Sequence, residues 1–200
     1  MLQAFTAGLL LITVSELGDK TFFIAVILAI KYSRKLVFGG VMAALTAMTV
    51  ISVLVGQVVS LLPRSYIHYV AIILFVGFGL KLLYEASQMP NKSDRSEAQA
   101  TAALLDRSQN RTAIGVLIEA FVLTFLAEWG DRTQIATITL AASNNSLGVT
   151  AGAILGHGIC TAIAVVGGRL IAGRISERTV TAIGGCLFLI FAAVSLFEGV

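Results

Sequence analysis

Apolar positions along the chain gather into six long runs, about 2–30, 36–61, 65–85, 113–142, 147–171 and 178–198. They do not alternate with polar positions as the half-buried strand or helix of a soluble domain would. Each run is long enough for an α-helix to cross a hydrocarbon layer of about 30 Å. The pattern predicts an all-α integral membrane protein with six transmembrane helices. The two prolines, Pro63 and Pro90, fall at or just beyond run ends, where a missing N–H breaks no helical ladder. One connector is long and polar: from about Ser87 to Arg111, Ser, Gln, Asn and charge replace the apolar residues. It splits a single membrane domain into a three-helix unit over 1–86, a linker over 87–112 and a second three-helix unit over 113–200.

Composition narrows the class. Hydrophobic residues make up 57% of the chain, charged residues 12%, and mean hydropathy is +0.91, outside the range of soluble globular domains. The net charge of +3 does not signal nucleic-acid binding, because the cations sit at the edges of apolar runs. There they set orientation. With six crossings, one side holds Lys31, Arg34, Lys35, Lys81, Lys92, Arg95, Arg107, Arg111, Arg169, Arg174 and Arg178, and the opposite side only Arg64. The positive-inside rule then puts the linker in the cytoplasm and both termini outside it. The first run carries Glu16 and Asp19 and is too long for a cleaved signal peptide, so it is expected to stay in the mature protein. With no Arg- and Ser-rich stretch before the first run, a prokaryotic or already processed chain is expected over an organellar precursor.

Two of the runs contain the same signature, 112 residues apart: Glu16-Leu17-Gly18-Asp19-Lys20-Thr21 and Glu128-Trp129-Gly130-Asp131-Arg132-Thr133. Ionisable residues inside apolar runs are costly and persist mainly where function needs them. The offset also pairs Leu28 with Leu140, Ala29 with Ala141, Gly40 with Gly152, Thr49 with Thr161 and Gly56 with Gly168, with no gap. A duplicated half of three spans must re-enter the membrane from the other side, so the repeats are expected to be inverted, with corresponding midspan residues meeting near a pseudo-two-fold axis.

On an unbroken helix, positions i and i+3 share a face, so each half would present a pair of carboxylates: Glu16 with Asp19, and Glu128 with Asp131. Four converging carboxylates suit a hard divalent cation. Lys20 and Arg132 temper the charge to about −2, which one such cation would neutralise. The same carboxylates can take protons when the metal leaves, and competition at a site open alternately to either face is the minimum that antiport requires. Ser15, Thr21 and Thr133 offer neutral oxygens, while Gly18 and Gly130 permit close backbone approach or local unwinding. The competing view is that the charges are salt bridges pinning helices together; an excess of duplicated carboxylates argues against it.

Two copies of E-x-G-D-[K or R]-[T or S] in a six-span chain resemble the small Ca²⁺/Mn²⁺ cation/proton antiporter family of Golgi, thylakoid and bacterial membranes. The resemblance covers the whole chain, and both motifs match at every specified position. It implies a metal site shared between the motifs, carried here on Glu16, Asp19, Glu128 and Asp131 with Thr21 and Thr133 in support. It also implies exchange of Mn²⁺ or Ca²⁺ for protons, most specifically manganese export across a bacterial inner membrane or a cyanobacterial plasma or thylakoid membrane. No cofactor beyond the transported ion is implied.

Other polar positions within the runs have two readings each. His157, between Gly156 and Gly158, suits a metal ligand or proton relay, or a hydrogen-bonded helix contact. Glu119 is placed for a gate or proton inlet, or for the interface. Gln57 and Gln134 offer carbonyl oxygens but are of a type that commonly joins helices. Gly148, Gly152 and Gly156 make a small-residue stripe expected to pack within the monomer, Lys81 and Glu85 an i,i+4 pair, and Cys160 and Cys186 small core residues. Two other functions stay open. A three-plus-three exporter of a small organic solute, such as a basic amino acid, shares the plan. A lipid-phosphate hydrolase would also use paired carboxylates, though no arginine cluster or activated Ser/His pair accompanies them.

Overall fold

The computed structural model describes residues 1–17, 19–89, 112–171 and 177–198. The expected linker lies almost wholly outside the described residues, as does Gly18. Among the described residues the chain is helical throughout: α1 (Leu2–Glu16), α2 (Lys20–Lys31), α3 (Arg34–Val59), α4 (Arg64–Gln88), α5 (Ala113–Glu128), α6 (Arg132–Ser143), α7 (Ser146–Ile171) and α8 (Glu177–Glu198). Pro63 stands immediately before α4, where it costs no hydrogen bond. Thr112 Oγ1 accepts the Gly115 N–H at the start of α5, and Asn145 Oδ1 accepts that of Gly148 at the start of α7.

Three stretches, Arg34–Val59, Ser65–Gln88 and Ser146–Gly167, are each long and apolar enough to cross a membrane. A fourth is reached if α5 and α6, which meet at a bend of 72°, count as one broken span. The apolar helices Leu2–Glu16 and Thr181–Phe197 are shorter than a full crossing as described. Large side chains such as Leu54, Ile73, Ile118, Val166 and Ile190 are exposed on the outside of the bundle. In water such a surface would drive association; in lipid it is the matched solvent.

The helices share two apolar cores. One joins Phe22, Ala25 and Leu28 of α2 to Val37 and Val41 of α3, Val116 and Ala120 of α5, and Ala164 of α7. The other joins Leu11 of α1, Val53 of α3, Phe75 of α4, Leu140 of α6, Val149 of α7 and Phe188 of α8. Thus α1 belongs to the second core and α2 to the first, whereas α5 belongs to the first and α6 to the second. Likewise α3 runs from the first core to the second and α7 from the second to the first. Helix partners exchange in the same way: α1 packs along α7 and α5 along α3, while α2 meets α7 and α6 meets α3.

Glycines set how closely these helices approach. A Cβ on Gly40 would lie 2.6 Å from the Leu117 carbonyl oxygen, and one on Gly152 would run into the Phe5 carbonyl. Leu117 and Phe5 are themselves 112 positions apart, as are the two glycines, so the same contact is made twice. Gly148 and Gly156 also press on α1, at Met1 and Ala4 and at Leu9 and Thr13. The expected α7 stripe therefore packs within the monomer. The Lys81–Glu85 pair is present at 3.7 Å. Cys160 is buried, but Cys186 is exposed, contrary to its expected core position, and takes no part in the second core that Phe188 and Ala192 of α8 join.

Candidate metal centre

Each signature breaks its helix instead of riding on it. Glu16 and Glu128 are the last residues of α1 and α5, and Asp19 and Asp131 stand just ahead of α2 and α6. The two breaks have nearly the same backbone: Leu17 and Trp129 at φ/ψ −64/115 and −65/114, Asp19 and Asp131 at −79/170 and −74/166. In each, the Asp N–H donates to the Glu carbonyl, at 3.2 and 3.1 Å. Gly130 carries φ +79, the left-handed region where a side chain would be strained. The expectation that Glu and Asp share one helical face is therefore corrected. The i,i+3 rule holds only while the helix continues, and both helices stop at the Glu, with Leu17 and Trp129 already extended.

The break repeats its side-chain bonds as well. Thr21 Oγ1 donates to Glu16 Oε2 at 3.0 Å, and Thr133 Oγ1 donates to Glu128 Oε2 at 2.9 Å. All four of these residues are buried. The basic residues cross over: Arg132 Nη2 reaches Asp19 Oδ1 at 3.0 Å, and Lys20 Nζ reaches Asp131 Oδ1 at 3.8 Å. Arg132 Nη2 also donates to the Ser15 carbonyl at 3.5 Å, so Ser15 contributes backbone while its buried hydroxyl makes no hydrogen bond among the described residues. Neither aspartate caps its own helix with its side chain.

What these contacts leave over is oxygen. Glu16 Oε1, Asp19 Oδ2, Glu128 Oε1 and Asp131 Oδ2 are all buried and accept no hydrogen bond among the described residues. Buried carboxylate oxygens without donors are costly unless a cation or proton satisfies them. Asp19, Glu128 and Asp131 each bring a carboxylate oxygen within 4.8 Å of the others. Donors on a common ion lie at most two bond lengths apart, roughly 4.6–5.2 Å for Ca²⁺. The three are therefore spaced to share one divalent cation after little or no closure. Glu16 is not in this trio: its Oε1 lies 3.6 Å from His157 Nδ1 on α7.

The remaining candidates separate. Gln134 Oε1 accepts the Gly130 N–H at 2.7 Å and so clasps the second break; the matching position in the first half is Phe22. Gln57 Nε2 donates to Ser146 Oγ at 3.1 Å, which ties α3 to the start of α7, eleven residues before His157. Glu119 is half-buried on α5, nine residues and about 14 Å along the helix from Glu128. Gly18 lies outside the described residues. Sequence reasoning passed over Thr13 and Thr124, whose buried hydroxyls beside the breaks make no hydrogen bond among the described residues. Their position one turn before each Glu was the available signal.

A family model described as the divalent cation/proton antiporter GDT1 matches residues 4–90 and 116–200. The chain belongs to the GDT1 family. A GDT1-like protein of Synechocystis is 57% identical over 200 residues, covering 98% of this chain and 97% of that relative. GDT1-like protein 3 of rice is 43% identical over 208 residues, covering 98% of this chain and 75% of its own. The chloroplastic PAM71-homolog of Arabidopsis thaliana is 40% identical over 213 residues, covering 98% of this chain and 59% of its own. No solved structure matches. Membership makes this a transporter that exchanges divalent cations for protons, not an enzyme, and gives no support to the organic-solute alternative. The twin breaks hold buried carboxylate oxygens that accept no hydrogen bond among the described residues.

Proposed function

We propose that this GDT1 protein exports a divalent cation from the cytoplasm in exchange for protons, with Mn²⁺ as the main substrate. The cation sits between the two signatures on Asp19, Glu128 and Asp131, with Glu16 beside them and Thr21 and Thr133 orienting the glutamates. The observation that carries this reading is the approach of three carboxylates from both signatures to within 4.8 Å, each with an oxygen left unsatisfied. Lys20 and Arg132 hold the aspartates across the interface, so each half completes the other's site. Protons replace the cation on the same oxygens, which couples the two flows.

We also propose that α1 with α2 and α5 with α6 are two broken spans in a six-span protein of two inverted halves. The opposite order in which α1–α2 and α5–α6 visit the two cores supports this, as does the repeated glycine contact. Broken helices that place a site at midmembrane are how inverted-repeat transporters expose a polar backbone without lipid contact. On this reading both termini face away from the cytoplasm. The membrane is a bacterial inner membrane or a cyanobacterial plasma or thylakoid membrane.

Reconstitution tests the exchange. Under an imposed pH gradient, proteoliposomes should show proton flux that depends on Mn²⁺ or Ca²⁺ and exceeds that with Mg²⁺, and Glu16→Gln should lower it sharply. Wild-type protein that moves no protons with any of the three ions would overturn the reading.

A further inference from the structure

Beside the site the two halves differ at Gln134, matched by Phe22, and at a second position that carries a metal-ligating side chain. Position 157 on α7 is histidine, and its partner under the 112-residue offset, position 45 on α3, is leucine. Both are buried. Glutamate recurs at 16 and 128 and threonine at 21 and 133, so the imidazole is an addition beside a repeated Glu–Thr pair. It faces one glutamate: His157 Nδ1 lies 3.6 Å from Glu16 Oε1, with side-chain exposures of 5% and 3%. Neither atom makes a hydrogen bond among the described residues. A small cavity of about 10 Å³ adjoins Glu16, lined also by Thr21, Cys160, Thr161 and apolar side chains such as Phe22 and Leu45. That is room for about one water-sized particle.

We propose that Glu16 Oε1 and His157 Nδ1 form a second cation seat, beside the three-carboxylate trio, that favours first-row transition-metal ions over Ca²⁺. The inference rests on the antiport reading above and names how that site chooses its substrate. Two donors 3.6 Å apart suit a shared ion with bonds of about 2.1–2.3 Å, at an angle near 110°. Ca²⁺ binds through oxygen, whereas first-row transition ions accept imidazole nitrogen. The trio of Asp19, Glu128 and Asp131 offers oxygen alone and has no such bias. A cation passing from one seat to the other would meet a nitrogen ligand at only one of them, so the discrimination comes from the half where symmetry is broken. Cys160, one turn beyond His157 on α7, donates its Sγ–H to the Thr13 carbonyl at 3.2 Å and helps hold α7 to α1 at this level.

Mn²⁺ serves as the probe. Pulsed electron paramagnetic resonance of the purified full-length protein loaded with Mn²⁺ should show ¹⁴N modulation from imidazole, absent in His157→Leu and in His157→Asn. In proteoliposomes, both variants should lower the preference for Mn²⁺ over Ca²⁺ about tenfold, with Ca²⁺-driven proton flux falling less than Mn²⁺-driven flux. A wild type that transports Mn²⁺ without nitrogen modulation overturns this proposal and leaves the antiport reading standing. So does an unchanged Mn²⁺/Ca²⁺ ratio in variants that remain folded by circular dichroism. A wild type that moves neither ion overturns both.

Discussion

Arg132 of the second signature pairs with Asp19 of the first, Nη2 to Oδ1 at 3.0 Å, across 113 positions of sequence. Its counterpart, Lys20 with Asp131, spans 3.8 Å and leaves the lysine 54% exposed against 21% for the arginine. The exposed pair is screened and contributes about 0–1 kcal/mol. Loss of the guanidinium would instead leave a mostly buried carboxylate without its cation. Arg132→Gln is therefore expected to lower the melting temperature and cation transport more than Lys20→Gln. Thermal unfolding in detergent and flux assays on the two variants check the order.

Because the trio draws on both signatures, neither copy should suffice alone. Asp19→Asn and Asp131→Asn, made separately, are each expected to weaken Mn²⁺ binding at least tenfold. The double variant should be little worse than either, since the first change already dismantles the shared site. Equilibrium binding of Mn²⁺ to the purified proteins measures this. Additive losses would argue for two independent sites.

Thr21→Val and Thr133→Val each remove a hydroxyl that donates to a buried glutamate. A hydrogen bond to an ionised group is worth about 1.5–3 kcal/mol. Both variants should lose affinity for the cation by roughly the same factor, and Thr→Ser at either position should restore most of it. Titration of the four proteins in parallel would reveal any inequality between the halves.

Cation affinity should fall as pH falls. On the proposed site protons and metal compete for the same carboxylate oxygens, so acid would favour the proton-loaded site and alkali the metal-loaded one. Apparent Kd for Mn²⁺ measured from about pH 8 down to pH 5.5 should rise monotonically. A pH-independent Kd would separate the metal from the carboxylates.

Close contact between α7 and α1 gives a purely structural prediction. A Cβ at Gly152 would run into the Phe5 carbonyl, and backbone cannot yield as a flexible side chain can. Gly152→Leu is expected to destabilise the protein by about 1–3 kcal/mol or more and reduce its yield. Gly77→Ala on α4, where an added Cβ meets nothing within 4 Å, is the matched control.

Much was legible from residues alone, and the limit has a physical basis. Apolar run length and the rarity of charge report the solvent of the chain, because a bilayer penalises each exposed polar group locally. The 112-residue register, both signatures and the chemistry of Glu16, Asp19, Glu128 and Asp131 follow from one-dimensional order, as does membership of the GDT1 family. Whether a helix runs through Gly130 or stops there depends on which conformation leaves the neighbouring carboxylates and backbone best satisfied, and here the bonds of Gln134 to the Gly130 N–H and of Thr133 to Glu128 satisfy the broken form. The exchange of Arg132 and Lys20 between signatures, the gathering of three carboxylates and the departure of Glu16 toward His157 are contacts between residues far apart in the chain. Sequence determined which groups the site contains; packing of α1 on α7 and α5 on α3 decided which of them meet, because electrostatic and hydrogen-bond energies depend on distances that spacing along the chain does not set.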